Sequence, residues 1–228
     1  MKTVGIAIPC YNEGNSILEV VKKCETTSSP YVKFLIVNNG STDNTLTVLS
    51  QLSLPPNVEV LHIQENRGYG FGILQGLKTL DTDFVGWTHA DLQTDPSDVL
   101  LFLPCIDDGA EFMKGLRVGR PFSDRFFTGG MSVIVSVMFV NKIRDVNAQP
   151  TIFDKRLLNY WSNPPKDFAL DLYAYLIAVK MKCNIQRKRV FFGPRKWGKS
   201  HWNSNLFARI RFIMRTLKFA LKLRREMW

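Results

Sequence analysis

Phe84-Val85-Gly86-Trp87-Thr88-His89-Ala90-Asp91-Leu92-Gln93 is an apolar run that breaks without warning into polar residues. Four large or small apolar residues bounded by a polar cluster read as a short buried strand, and the cluster then lies at its carboxyl end. A carboxylate at Asp91 with an amide two residues on, at Gln93, suits a divalent cation that grips a diphosphate, since hard cations take oxygen ligands. A helix-capping acid is the plainer role for Asp91. His89 stands where a second carboxylate is expected, which raises the question of how a metal is held.

Outward from that stretch, the same alternation recurs. Apolar runs at 4–8, 34–37, 58–63, 84–87 and 111–116 alternate with helical patterns at 16–23, around Leu46, Val48 and Leu49, and at 68–80. Such order points to βαβ units and a mainly parallel sheet. Asp95 is expected to cap a helix that begins at Pro96. Thr42 or Asp43 is expected to cap the helix that carries Leu46, Val48 and Leu49. The second half suggests helices at 131–143, 154–160 and 168–181, a strand at 185–191, a basic loop at 192–203 and a last helix. The expected division is a domain over 1–203 followed by a basic amphipathic helix over 204–228.

Composition excludes several classes. The 228 residues carry 45% hydrophobic and 22% charged side chains, which is ordinary globular usage. Cys10, Cys24, Cys105 and Cys183 lie far apart with no CxxC pair, so neither a zinc knuckle nor a redox motif is indicated, and reduced thiols in a cytosolic protein are expected. Residues 1–9 read as a first strand rather than a leader peptide. The longest apolar stretch, 131–140, falls short of the roughly 20 residues needed to cross a bilayer.

Net charge is +10, concentrated in Arg209, Arg211, Arg215, Lys218, Lys222, Arg224 and Arg225, with Glu226 the one acid among them. Leu206, Ile210, Ile213, Met214, Leu217, Ala220 and Leu221 are expected on the opposite face of that helix. Two readings of it stand: a helix lying on an anionic membrane surface, or a helix docked on its own domain with a solvated basic face. Nucleic-acid binding has charge in its favour but no motif and no aromatic interleaving.

Parallel sheets bind ligands at the carboxyl ends of their strands, and each unusual polar cluster of the first half falls there. Ile8-Pro9-Cys10-Tyr11-Asn12-Glu13, Val37-Asn38-Asn39-Gly40-Ser41-Thr42-Asp43, Asn66-Arg67-Gly68-Tyr69-Gly70 and Ala90-Asp91-Leu92-Gln93 come in that order. Together they resemble the signatures of family 2 glycosyltransferases with the GT-A fold, nearest in pattern to polyprenyl-phosphate sugar synthases. The resemblance covers about the first 120 residues well. It implies an α/β, Rossmann-like GT-A sheet and inverting transfer from a nucleoside-diphosphate sugar to a polyprenyl phosphate or lipid-linked glycan. It also implies a peripheral location on the cytoplasmic face of the cell membrane.

The resemblance assigns Mg²⁺ or Mn²⁺ to Asp91 and Gln93, and the surroundings of base and ribose to Pro9, Tyr11 and Glu13. Asn38 or Asn39 matches an acid that binds the base in relatives. Turn chemistry is the alternative for both, since Asn-Gly readily forms tight turns. His89 is expected to touch phosphate or sugar, or to be purely structural. Arg67, beside glycines at a helix start, suits phosphate as well as helix contact. Gly115-Leu116-Arg117 and Arg195-Lys196-Trp197-Gly198-Lys199-Ser200 resemble the family's later motifs, so Arg117, Arg195 and Lys199 are candidate phosphate contacts. Transfer to a hydroxyl needs a proton acceptor, and Asp171 or Asp145 can serve; an ionised lipid phosphate needs none. For Asp171, membership of a helix face beside Leu172, Tyr173 and Leu176 is the alternative. The missing acids also keep open a binder of nucleotide sugars that does no catalysis.

Overall fold

The computed structural model describes residues 1–27, 29–120, 122–195 and 206–227, with backbone only for 122–127, 206–210, 212 and 227. The first half follows the expected alternation: β1 (Val4–Cys10), α1 (Ile17–Glu25), β2 (Val32–Asn39), α2 (Thr45–Gln51), β3 (Val58–Ile63), α3 (Tyr69–Thr79) and β4 (Phe84–Trp87). Asp95 caps the next segment by accepting from Ser97 N at 3.0 Å, with Pro96 first in a 3-10 turn that runs into α4 (Leu103–Asp107). Asp43 Oδ1 accepts from Thr45 N at 3.0 Å at the start of α2. Then come β5 (Phe112–Val118), α5 (Phe122–Phe139), β6 (Thr151–Asp154), a 3-10 turn at Lys155–Tyr160, α6 (Leu170–Lys180), β7 (Ile185–Phe191) and α7 (Leu206–Met227).

Seven strands form one sheet in the order β3-β2-β1-β4-β6-β5-β7, parallel except for β6, which runs antiparallel to both β4 and β5. Period-2 alternation divides the strand residues between two apolar layers. Phe34 and Ile36 face α1 and α4, while Leu35 and Val37 face α3 and α6. The sheet is thus covered on both faces, as parallel strands require.

Three expectations for the second half change. The helix expected at 131–143 begins at Phe122, because Gly129 and Gly130 lie in open surroundings and interrupt the apolar pattern without breaking the helix. It ends at Phe139; the left-handed backbone of Val140 (φ 50) then turns the chain out, and Ser136 Oγ accepts from Ile143 N to close the exit. The helix expected at 154–160 is a 3-10 turn over Lys155–Tyr160, capped by Asp154, the last residue of β6, which accepts from Arg156 N at 2.9 Å. β6 reads Thr151-Ile152-Phe153-Asp154, with a polar residue at each end, so unlike β4 it presents no apolar run in the sequence pattern.

Last, α7 buries Thr216, Ala220 and Leu223 and leaves Met214 and Leu221 exposed. The face is rotated from the expected one because the helix seats on α5 and joins the apolar layer through Leu217, Ala220 and Leu223.

Candidate active site

The turn after β4 builds the centre of the site. Leu92 takes a left-handed conformation (φ 57), and around it Asp91 Oδ1 accepts from Gln93 N at 3.1 Å. This turn brings the carboxylate and the amide to the wall of one pocket. Gln93 Nε2 donates to Gly193 O at 3.1 Å, and Gly193 N returns a bond to Gln93 O at 2.8 Å. The amide nitrogen is therefore occupied, which leaves its Oε1 as the available atom.

His89 lies on the same wall. Its ring stacks on Tyr69 at 5.3 Å between centroids, and Nε2 lies 3.2 Å from Tyr69 Oη. Phe168 also stacks on Tyr69, at 4.5 Å between ring centroids. Burial, and next the charge of Asp171, push the Tyr69 phenol well above its ordinary value, so it stays protonated.

Asp171 reaches the pocket from α6, a helix buried all round from Leu170 to Ala178, where it is the one charged side chain. Gln149 Nε2 donates to its Oδ1 at 2.9 Å, and Lys114 Nζ lies 3.5 Å from the same oxygen. Lys114 is fully buried in β5 and donates to Thr151 Oγ1 at 2.5 Å. Burial pushes its amine down to about 8, against the pull of Asp171 in the other direction.

Arg117, at the end of β5, also lines the pocket. Asp145 holds it through the backbone N at 2.9 Å, through Nε at 2.9 Å and through Nη2, while the guanidinium lies 5.1 Å above the Phe192 ring. Burial would push the Asp145 carboxyl up, but Arg117 and then Arg120 outweigh it and hold the carboxyl below its ordinary range. Asp145 is thus the anchor of Arg117 and lies outside the pocket.

The residues 5–160 match the family model described as glycosyl transferase family 2. The chain belongs to glycosyl transferase family 2. Among curated relatives of this family 2 chain is the undecaprenyl-phosphate 4-deoxy-4-formamido-L-arabinose transferase of Serratia proteamaculans (strain 568), 28% identical over 144 residues. That match covers 60% of the chain and 43% of the relative, so the chain spans less than half of that protein. Among solved structures, glucosyl-3-phosphoglycerate synthase from Mycobacterium tuberculosis with Mn²⁺, UDP and glucosyl-3-phosphoglycerate superposes with a TM-score of 0.75 at 14% identity. It covers 98% of the chain and 80% of the synthase. The same enzyme with Mn²⁺, UDP-glucose and phosphoglyceric acid gives 0.75 at 13% identity, over 96% and 79%. At that identity the likeness establishes the GT-A fold.

The other expected residues of this family 2 chain are distributed unevenly. Glu13 follows β1 and is bound on both oxygens: Ser16 Oγ donates to Oε2 at 2.6 Å and Arg195 Nη2 to Oε1 at 2.9 Å. Burial raises its carboxyl above the ordinary value, against Ser16 and Arg195, and the charge of Asp91 adds to the rise. Pro9 pairs with Val37 inside the sheet, and Tyr11 is exposed. Asn38 and Asn39 are buried: Asn38 Oδ1 accepts from Ser41 N at 3.2 Å, and Asn39 Nδ2 donates to Gly68 O at 3.0 Å, so both secure turns. Among the described residues Asn39 Oδ1 is a buried acceptor with no partner. Arg67 points outward, 3.5 Å from Glu65 and 5.6 Å above Phe71. Lys199 lies outside the described residues.

Lys114 and Tyr69 are the site residues that sequence reasoning passed over. A lysine within the apolar run Phe112-Met113-Lys114-Gly115-Leu116 was the available signal, since a charge at a strand's buried position demands a partner.

The donors present fit a divalent cation. Asp91 keeps its second carboxylate oxygen and Gln93 keeps Oε1, both hard oxygen ligands on one wall. Among the described residues no cluster of three or more His, Cys, Asp or Glu side chains converges. Mg²⁺ commonly takes one or two carboxylates and completes its shell with water and phosphate oxygens, so a sparse protein set suffices.

Proposed function

We propose that the chain is a metal-dependent inverting glycosyltransferase that moves a sugar from a nucleoside-diphosphate donor to a membrane-borne acceptor, a polyprenyl phosphate or lipid-linked glycan. The observation that carries this reading is one pocket in which the oxygens of Asp91 and Gln93, the guanidinium-bearing Arg117 and the buried Asp171 meet. A bound cation would supply charge neutralisation for the leaving diphosphate. Arg117, held by Asp145, offers a fixed positive group on the same side. Asp171 is the chain's available base for a hydroxyl acceptor, with Gln149 and Lys114 orienting its carboxylate. His89, tied to Tyr69, presents its other ring nitrogen to donor phosphate or sugar. The name of the Serratia relative supports a lipid phosphate as acceptor and the Mycobacterium complexes support a UDP-sugar donor with Mn²⁺. The reading places the protein peripherally on the inner face of the cell membrane; no helix among the described residues is long and apolar enough to cross it.

Nucleoside diphosphates with Mn²⁺ or Mg²⁺ should raise the thermal midpoint, because a ligand of the native state alone stabilises it. Asp91→Ala should abolish the metal-dependent part of that rise and lower transfer by about 100-fold or more. Undiminished transfer in Asp91→Ala removes the metal assignment.

A second reading, a nucleotide-sugar binder without turnover, is favoured by His89 in the place of an acid and by the engagement of Asp171 with Lys114. Tight donor binding with no transfer across lipid and sugar acceptors would select it.

A further inference from the structure

The outward face of α5 has no part in the site, yet it is apolar. Residues 126–140 carry no charge. Met131, Val135 and Phe139 turn inward and are buried, while Val133, Ile134, Val137 and Val140 are 63%, 44%, 72% and 85% exposed. Val133, Ile134 and Val137 fall at i, i+1 and i+4 on one side of the helix, and Val140 follows directly after its last turn. A surface helix ordinarily gives that side to polar residues, and a contiguous exposed apolar stripe marks a contact surface.

The charges beside the stripe say what covers it. Lys142 and Arg144 follow the helix, Lys188 and Arg189 lie on the edge strand β7, and all four are exposed. Val133, Lys142, Arg144 and Arg189 line one groove whose acid, Asp145, is already engaged by Arg117 and Arg120. A second copy is a poor occupant, because a two-fold contact sets the same patch against itself and so offers these cations no acid to pair with, Asp145 being already engaged. An anionic bilayer matches both parts, apolar below and negative at the headgroups.

We propose that α5 seats on an anionic lipid surface, with Val133, Val137 and Val140 in the acyl boundary and Lys142, Arg144 and Arg189 at the phosphates. The groove shares Arg117 and Thr128 with the pocket. Seating therefore brings the pocket to the membrane plane; that this serves a lipid acceptor rests on the transferase reading, whereas the seating does not. The contact is built on α5 rather than on α7, whose Ala220 and Leu223 are buried within the domain.

Sedimentation with phosphatidylcholine vesicles, alone or with about a third phosphatidylglycerol, tests the proposal. The full chain should bind the anionic vesicles. Val137→Glu with Val140→Glu should lower partitioning about tenfold or more, with the thermal shift by UDP and Mn²⁺ unchanged. Lys142→Glu with Arg144→Glu should erase the preference for phosphatidylglycerol. Wild-type behaviour in both variants, or a full chain that binds neither vesicle, overturns it. So does a dimer that the valine variant dissociates while vesicle binding persists, which assigns the stripe to a second copy. Vesicle binding without any donor shift would instead defeat the transferase reading and leave this one standing.

Discussion

Strand β4 brings side chains to the pocket directly, from the turn at its carboxyl end, whereas the part of the molecule from β5 onward brings two of its own through buried charge pairs. Asp91 and Gln93 are placed by one left-handed residue between them and by backbone bonds to Gly193. Asp171 and Arg117 are placed by Lys114 and Asp145, each from another element. The first arrangement rests on neutral hydrogen bonds, one within the turn and two to Gly193. The second is costly to break, because removing one partner of a buried pair leaves the other charge without compensation.

Lys114→Met gives the largest test of that contrast. It should cost about 3–5 kcal/mol of folding stability, read by urea unfolding, and a loss comparable to a surface substitution would show the pair to be dispensable. The same variant tests pH dependence. The Lys114 amine is pushed down to about 8 from its ordinary 10.5 by burial. Between those values the unfolded chain holds a proton that the folded chain has released, so stability should rise with pH across that window. The rise should vanish in Lys114→Met.

Asp171→Asn comes next. Transfer to a hydroxyl acceptor should fall about 100-fold or more, while transfer to a polyprenyl phosphate stays within a few-fold, since that acceptor is already ionised. Equal losses with both acceptors would mean that Asp171 only holds the fold. At the seam between the two parts, Gly86→Ala directs a Cβ at Thr151 O and Ile152 Cα across the β4–β6 pairing. Overpacking there should cost about 1–3 kcal/mol in denaturant unfolding; a neutral result would show that β6 yields easily.

The smallest effect is expected at His89→Asp. A second carboxylate beside Asp91 should tighten Mn²⁺ binding about tenfold by calorimetry. Binding that weakens instead would show that the imidazole is itself part of the metal's surroundings.

The legible part of the site is the part carried by strand ends. Asp91, Gln93 and Arg117 announce themselves as polar residues directly after apolar runs, and Asp171 as an acid in an apolar helix. Asn39 was legible as the match to a base-binding acid or as a turn residue; its bond to Gly68 O depends on where β3 ends and α3 begins. Asp145 carried no mark that distinguished a base from an anchor, since that depends on Arg117 lying against it. Arg67 matched a phosphate loop, yet its side chain points to solvent beside Glu65.

By itself the sequence determined the alternation of strands and helices, the parallel class of the sheet and the edge at which chemistry gathers. Periods of 2 and 3.6 and turn residues act over a few neighbours and need no distant partner. Tertiary structure alone decided the antiparallel insertion of β6, the pairing of Glu13 with Arg195 and of Lys114 with Asp171, the face that α7 buries and the exposure of the α5 valines. Each of these depends on which residues, remote along the chain, exclude water from one another. Burial and charge pairing are properties of such meetings, and no local pattern encodes them.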